Sequence, residues 1–375
     1  MVERKPLVRL LITNSLKTVG FAPPNPLRIA DRASGLNSLS VRSHNERLVL
    51  SLLLQNEATT RLEIGEKTGL SAQTISVIVR SLEQEGLVVR GEAQKGRVGP
   101  PTTPLMLNPE GAYSVGVSVG YRNTHIVVVD FIGTVQYQHV MPHAKADTFD
   151  TPEALAFEIH QSIRSLSQSR QARIAGIGLA LPTPPIQSGP DHDVLHRYLE
   201  AEFGLPVFVQ NDITAATGGE SLFGTARQLQ DFLFFYLGAR LHGRLVLNHQ
   251  IYNGNSPLSY DVGVLALERT LPAGDAAAVS LWGQERSWPP MGPVLADWQQ
   301  ACAESLIKFT RALLQFIELK TVILSSFVPV DVCAALCALI QREIPVVNAI
   351  VGRTSAAPKA VGAASLPFSS RFMVH

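Results

Sequence analysis

Two groups of residues in this chain could do chemistry, and they lie far apart in sequence. The first is Gln73, Thr74, Ser76 and Arg80, following Ser71. An amide, short hydroxyls and a guanidinium in this order share the outer face of a helix's first turns. There they can meet base edges and phosphates in a major groove. Lys95-Gly96-Arg97 comes soon after in a glycine-rich stretch, two cations suited to phosphate or minor-groove contact. The second group is Asn211-Asp212. A carboxylate beside a carboxamide can hold two vicinal hydroxyls, and the same pair at a strand-to-helix junction can simply cap the helix. The residues alone leave both readings open. Cys333 and Cys337 stand at i, i+4, half of a metal site with no neighbouring ligands to complete it. They read as core residues, and no metal and no cofactor is expected.

The elements that position the first group run from Asn45 to Pro109. Leu48, Leu50, Leu52, Leu53 and Leu54 are too dense for a surface helix and predict one packed on two sides. Leu62, Ile64 and Leu70 around Thr68-Gly69 predict a short helix ended by glycine. Ser71 then caps a third helix whose inner face is Ile75, Ile78, Val79 and Leu82, stopped by Gly86. Leu87-Val88-Val89 and Thr103 to Leu107 predict a hairpin wing with Lys95 and Arg97 at its tip. Three helices, the Thr-Gly-Leu-Ser turn and a basic wing together outweigh the bland alternative, a helical interaction module with a merely solvated polar face.

Composition supports a reader joined to something else. Of 375 residues 46% are hydrophobic and 17% charged, and the net charge is +1. Residues 1–110 hold 14 Lys/Arg against 10 Asp/Glu, which makes a basic head of +4 on a body of −3. No apolar run is long enough to span a bilayer or serve as a signal peptide, and three cysteines without a disulfide framework fit a reducing cytoplasm. Residues 1–43, broken by Pro23, Pro24, Pro26 and Gly35, read as an arm, and 44–109 as the winged helix-turn-helix domain.

From Tyr113 the pattern turns to strands. Three β-rich runs precede a helix from Thr151 to Leu166, a strand at Ile174–Leu181, a helix at Val194–Phe203, a strand at Val207–Val209 and a helix at Ile213–Leu222. A second set follows: strands at Phe232–Leu237, Arg244–Leu247 and Val322–Leu324, and helices at Val294–Glu318, Val330–Gln341 and Ala356–Leu366. This predicts two α/β lobes, 110–230 and 231–375, with a ligand cleft between them.

In this order the residues resemble the ROK family of sugar kinases and sugar-responsive repressors. The resemblance rests on Asn45-Glu46-Arg47, Gly86-Leu87 and Gly96-Arg97 in the head. In the body it rests on Gly176 to Pro182, Gln210-Asn211-Asp212 with Ala215-Ala216 and Gly219-Glu220, and Gly362-Ala363-Ala364. It implies a two-lobed ribonuclease-H-like, actin-like ATPase fold behind the winged domain. It also implies that Asp212 stands at the position of the kinases' general base, which in repressors accepts hydrogen bonds from sugar hydroxyls. Thr183 falls on the loop that closes over the sugar, and Asp261 stands where the family has Glu.

The departures are as informative. The family's Asp-Gly-Gly-Thr phosphate turn reads Ser118-Val119-Gly120-Tyr121, without a carboxylate to organise Mg²⁺ and with bulk where backbone must approach phosphate. The second glycine-rich turn carries Arg240, His242 and Arg244, cations able in principle to hold an anion. Between Ser259 and Gln300 there is no Cys or His for the family's zinc site, and Val264 replaces an expected histidine. The sequence thus predicts no enzyme but a DNA-binding regulator of carbohydrate genes, a repressor, sensing a sugar or sugar derivative. Its expected partners are double-stranded operator DNA and a second copy of itself, as a homodimer or a tetramer, and no membrane. The competing readings are an active sugar kinase with an appended DNA-binding domain and a regulator whose sensor has lost its ligand.

Overall fold

The computed structural model describes residues 38–374 except 57, 93–102, 122, 144–150, 183–190, 238–240, 253–263, 266–291, 327–328 and 354–356. The described residues open with α1 (Ser38–Gln55), which begins earlier than the Asn45 start expected from sequence. In α2 (Arg61–Thr68) Thr60 and Glu63 form a reciprocal capping box, and Gly69 ends the helix at φ 70°, a left-handed conformation that costs a glycine little. Ser71 caps α3 (Ala72–Gln84) by accepting from the Thr74 amide, and Ile75, Ile78, Val79 and Leu82 are buried. Each such side chain contributes roughly 1.5–3 kcal/mol by leaving water. The wing follows as β1 (Val88–Arg90) paired antiparallel with β2 (Leu105–Leu107), and Thr59 bridges to Leu105 from the far side.

The body holds two sheets of one plan. The first contains β3 (Tyr113–Val119), β4 (Asn123–Asp130) and β5 (Val135–Pro142), joined as hairpins. After α4 (Pro152–Arg164) and α5 (Gln168–Gln171) come β6 (Ile174–Leu181), α6 (His192–Phe203), β7 (Val207–Asn211) and α7 (Asp212–Leu222). The strand order is β5-β4-β3-β6-β7, with β6 parallel to β3 and β7 parallel to β6. The second sheet repeats this: β8 (Phe232–Leu237), β9 (Leu241–Leu247) and β10 (Gln250–Ile251) meander, and β11 (Val264–Leu265) also pairs with β9. After α8 (Gly292–Leu313), β12 (Thr321–Ser326) lies parallel to β8, and after α9 (Val330–Glu343), β13 (Asn348–Val351) lies parallel to β12. The order β10-β9-β8-β12-β13 is that of the first sheet, strand for strand. The sequence reading lacks β13, a half-exposed edge strand too short for a periodicity signal.

The helices that close the two halves are exchanged. In α7, Ile213 and Ala216 pack with Phe232, Phe234, Tyr236 and Val246 of the second sheet. The last helix, α10 (Pro358–Phe372), packs Ala360, Val361, Ala364 and Phe368 against Val127, Val129 and Phe131 of the first. The sequence division at 230/231 therefore follows chain order, whereas the packing crosses it. Two glycines make the exchange possible. A Cβ on Gly178 would stand 1.8 Å from the Ala363 carbonyl oxygen, and one on Gly362 would stand 2.2 Å from that of Ala215. The helix also runs past the Leu366 end expected ahead of Pro367. Proline has no amide to offer the carbonyl four residues back, Ala363, and that carbonyl instead faces the Cα–H of Gly178.

Candidate DNA-reading face and ligand cleft

On α3, Gln73 and Arg80 are exposed, and Arg80 makes no ion pair among the described residues. The Ser71 and Thr74 hydroxyls lie 2.8 Å apart at the helix start, and Ser76 Oγ donates to Ala72 O at 2.8 Å. These three hydroxyls are thus oriented by the helix itself, with lone pairs left for outside donors. Sequence reasoning missed Val77. It is 50% exposed between Gln73 and Arg80 on the same face, and an isolated apolar side chain there can meet a thymine methyl. Lys95 and Arg97, expected at the wing tip, lie outside the described residues.

The module is not loosely tethered. Its core residues, from Val49 to Leu107, form one apolar cluster with Ala360, Val361, Phe368 and Met373 of the chain's end. Arg47 Nε donates to Met373 O at 2.5 Å and its Nη2 to Ser370 O at 3.1 Å. Burial lowers the Arg47 pKa. The Val374 amide donates to Ser51 Oγ at 3.0 Å, and Arg227 donates to the Leu54 carbonyl. Arg173 reaches Gly111 O at 3.0 Å and Glu85 O, at the end of α3, at 3.3 Å.

The second cluster forms where β7 turns into α7. Asn211 does cap the helix: its Oδ1 accepts from the amides of Ile213 at 3.0 Å and Thr214 at 3.2 Å. Its orientation is fixed from the second half of the body by Arg244, which the sequence reading placed where a glycine-rich turn meets a strand. Arg244 instead lies within β9, buried, and donates through Nη2 to Asn211 Oδ1 at 2.9 Å and through Nε to Thr214 Oγ1 at 3.0 Å. Burial brings its guanidinium down to about 10, against the opposing pull of the Asp212 charge. This arginine is structural glue for the cap, with β9 turning it inward.

Asp212, beside Asn211, has a side chain only 5% exposed. Its Oδ2 accepts from Lys359 Nζ at 2.6 Å, a partner 147 residues away on α10. The ammonium also lies 4.7 Å above the centre of the Tyr236 ring. Nothing among the described residues donates to the other oxygen, Asp212 Oδ1, although it is buried. A buried acceptor without a donor costs roughly 1–3 kcal/mol unless something supplies one. The cluster therefore presents an acceptor and a cation side by side, against an aromatic wall, which suits a hydroxyl-rich molecule. Of the other expected ligand residues, Thr183 and Asp261 lie outside the described residues.

At the family's phosphate turn, Ser118 and Val119 are buried and the Gly120 amide bonds Asn123 O at 2.9 Å, closing a tight hairpin. Among the described residues no cluster of three or more His, Cys, Asp or Glu could hold a metal ion, and no helix is long and apolar enough to cross a membrane.

A winged helix-turn-helix packed onto a duplicated α/β body with exchanged closing helices is a defined class: a nucleic-acid-reading module joined to a sugar-kinase-like fold. Comparison with known proteins makes the class particular. Residues 114–275 match the ROK family, and residues 42–89 match winged helix-turn-helix DNA-binding domains. The chain carries a ROK family domain behind an N-terminal winged helix-turn-helix. It is 27% identical over 268 residues to the xylose repressor of Bacillus subtilis (strain 168), spanning 66% of this chain and 67% of that one. It is also 27% identical over 169 residues to a glucokinase of Streptomyces coelicolor, over 43% of this chain and 51% of that one. The crystal structure of a ROK family transcriptional regulator, a homologue of the E. coli MLC protein, superposes with a TM-score of 0.64 at 17% identity. It covers 88% of this chain and 98% of that one, and supports the same fold.

Proposed function

We propose that the chain is a DNA-binding transcriptional repressor whose ROK domain senses a sugar or sugar derivative and does not phosphorylate it. The observation that carries this is a winged helix-turn-helix with Gln73, Val77 and Arg80 exposed, packed onto a body whose turn from Ser118 to Tyr121 offers no carboxylate for a nucleotide's metal. In the body, Asp212 Oδ2 is held by Lys359, while Asp212 Oδ1 has no donor among the described residues. What the cluster retains is recognition chemistry. The similarity to xylose repressors favours an aldose such as D-xylose as the first effector to try. The exposed Gln73, Val77 and Arg80 face then reads a half-site, and a homodimer in the cytoplasm places two such faces on an inverted repeat about one helical turn apart.

Selection of duplexes from a random pool, followed by affinity measurement across a salt titration, tests the DNA side. The selected duplex should bind at least about a thousandfold tighter than random DNA. Equal affinity for both would overturn the reading. The kinase alternative predicts ADP release from ATP and Mg²⁺ with a sugar panel, abolished in Asp212→Asn. The repressor reading predicts none above background.

A further inference from the structure

We infer that Lys359 is the residue on which a ligand in the cleft acts, and that α10 carries the resulting change to the DNA-binding domain. This rests on the reading of the Asn211–Asp212 cleft as the effector site. The two ends of α10 lie on two different functions. At its start, Lys359 Nζ sits on Asp212 Oδ2 and over the Tyr236 ring. At its end, Ser370 O and Met373 O are held by Arg47, and the Val374 amide is held by Ser51, both of α1. Lys359 and the Ser370 and Met373 carbonyls are 11 and 14 residues apart, so the two contacts lie about 17–21 Å apart along one element.

The seating of that element sets how it can move. Backbone meets backbone at Gly178 with Ala363 and at Gly362 with Ala215, and Gly116 would put a Cβ 2.1 Å from the Ala360 carbonyl. With no side chains to re-pack at these three contacts, a shift at the first turn passes along the helix instead of being absorbed there. Asp212 Oδ1, which has no donor among the described residues, supplies the driving contact. A ligand hydroxyl donates to it and, through its own lone pair or a neighbouring hydroxyl, accepts from Lys359. The ammonium then divides itself between Asp212 and the ligand, and the first turn of α10 follows it. The ligand shifts the equilibrium by whatever difference in contact the two positions of α10 give it.

Hydrogen exchange on the full-length protein tests the relay without any sugar. Lys359→Met should speed exchange about tenfold in residues 212–222 and 358–372 and also in 44–55, leaving β12 and α9 unchanged. Asp212→Ala, which breaks the same contact from the other side, should reproduce the effect at 44–55. A change confined to residues 212–222 and 358–362 in both variants overturns the relay. In a second arm D-xylose is the probe. If it changes wild-type affinity for the selected duplex, that ratio should fall to about one in Lys359→Met, and an unchanged ratio overturns the proposal. If duplex affinity in the wild type ignores D-xylose and a wider aldose panel, the effector reading fails while the exchange data still decide the relay.

Discussion

Replacing Gly362 by alanine tests the helix exchange that brings Lys359 to Asp212. The added Cβ would stand 2.2 Å from Ala215 O, 2.4 Å from Ala215 C and 2.6 Å from Ala216 N. All three are backbone atoms of α7, so no side chain can turn aside, and the crossing must open by roughly 1 Å. Overpacking by one methyl costs about 1–3 kcal/mol where side chains can adjust, and here the cost should reach at least ~3 kcal/mol. Alanine's better helix propensity returns about 1 kcal/mol, leaving a net loss of ~2–3 kcal/mol. Gly204 is the control, because its φ of 60° is left-handed while a Cβ there meets nothing within 4 Å. Alanine at 204 therefore costs only the conformational strain, about 1–2 kcal/mol, partly offset by a less flexible unfolded chain. At roughly 2–4 °C per kcal/mol, thermal melting followed by circular dichroism should fall by about 4–12 °C for Gly362→Ala, and by less for Gly204→Ala. A Gly362→Ala protein as stable as wild type, or less affected than Gly204→Ala, would refute the close crossing of α7 and α10.

Gln73→Ala should reduce discrimination between selected and random duplexes by ~1–3 kcal/mol, whereas Arg80→Ala should weaken both alike and lower the salt slope by about one, as filter binding at several salt concentrations can show. Burial pushes the thiols of Cys302, Cys333 and Cys337 up to about 12, so none should react with iodoacetamide at pH 8 until the protein is unfolded. The raised value also fixes a sign. The folded state keeps these protons while unfolded thiols lose theirs above the ordinary value of 9.0, so the thiols' contribution to stability is full below pH 9 and declines from there toward pH 12. Melting temperatures across pH 8–11 check this, and the slope should shrink in a Cys333→Ala/Cys337→Ala protein.

Much of the fold was legible because its signals are local. The spacing of Ile75, Ile78, Val79 and Leu82, the cap at Ser71 and the stop at Gly69 each act within one or two turns. The strands of the first sheet are apolar runs between turn residues, and Asn211-Asp212 marks a strand-to-helix junction by its own chemistry. What sequence reasoning missed depends on partners remote in the chain. Lys359 is 147 residues from Asp212, and no spacing rule connects them. Arg244 reads from sequence as a cation where a glycine-rich turn meets a strand; only the pairing of β9 with β8 shows that it points inward to Asn211. The Gly176 to Pro182 and Gly362-Ala363-Ala364 stretches were readable as motifs, but their purpose, backbone contact between α10 and the first sheet, emerges only from the fold. Val77 was overlooked because an exposed valine reads from sequence as a core residue.

The central claim is that one cleft binds a small polyhydroxylated ligand and that this binding is linked to DNA. The most direct measurement is calorimetric titration of the best-binding aldose into wild type and Asp212→Ala, each with and without the selected duplex. Asp212→Ala should lose at least about tenfold in ligand affinity. Duplex should also change wild-type ligand affinity by the same factor by which ligand changes duplex affinity. Unaltered ligand binding in Asp212→Ala, or a wild-type ligand affinity indifferent to duplex, would contradict it.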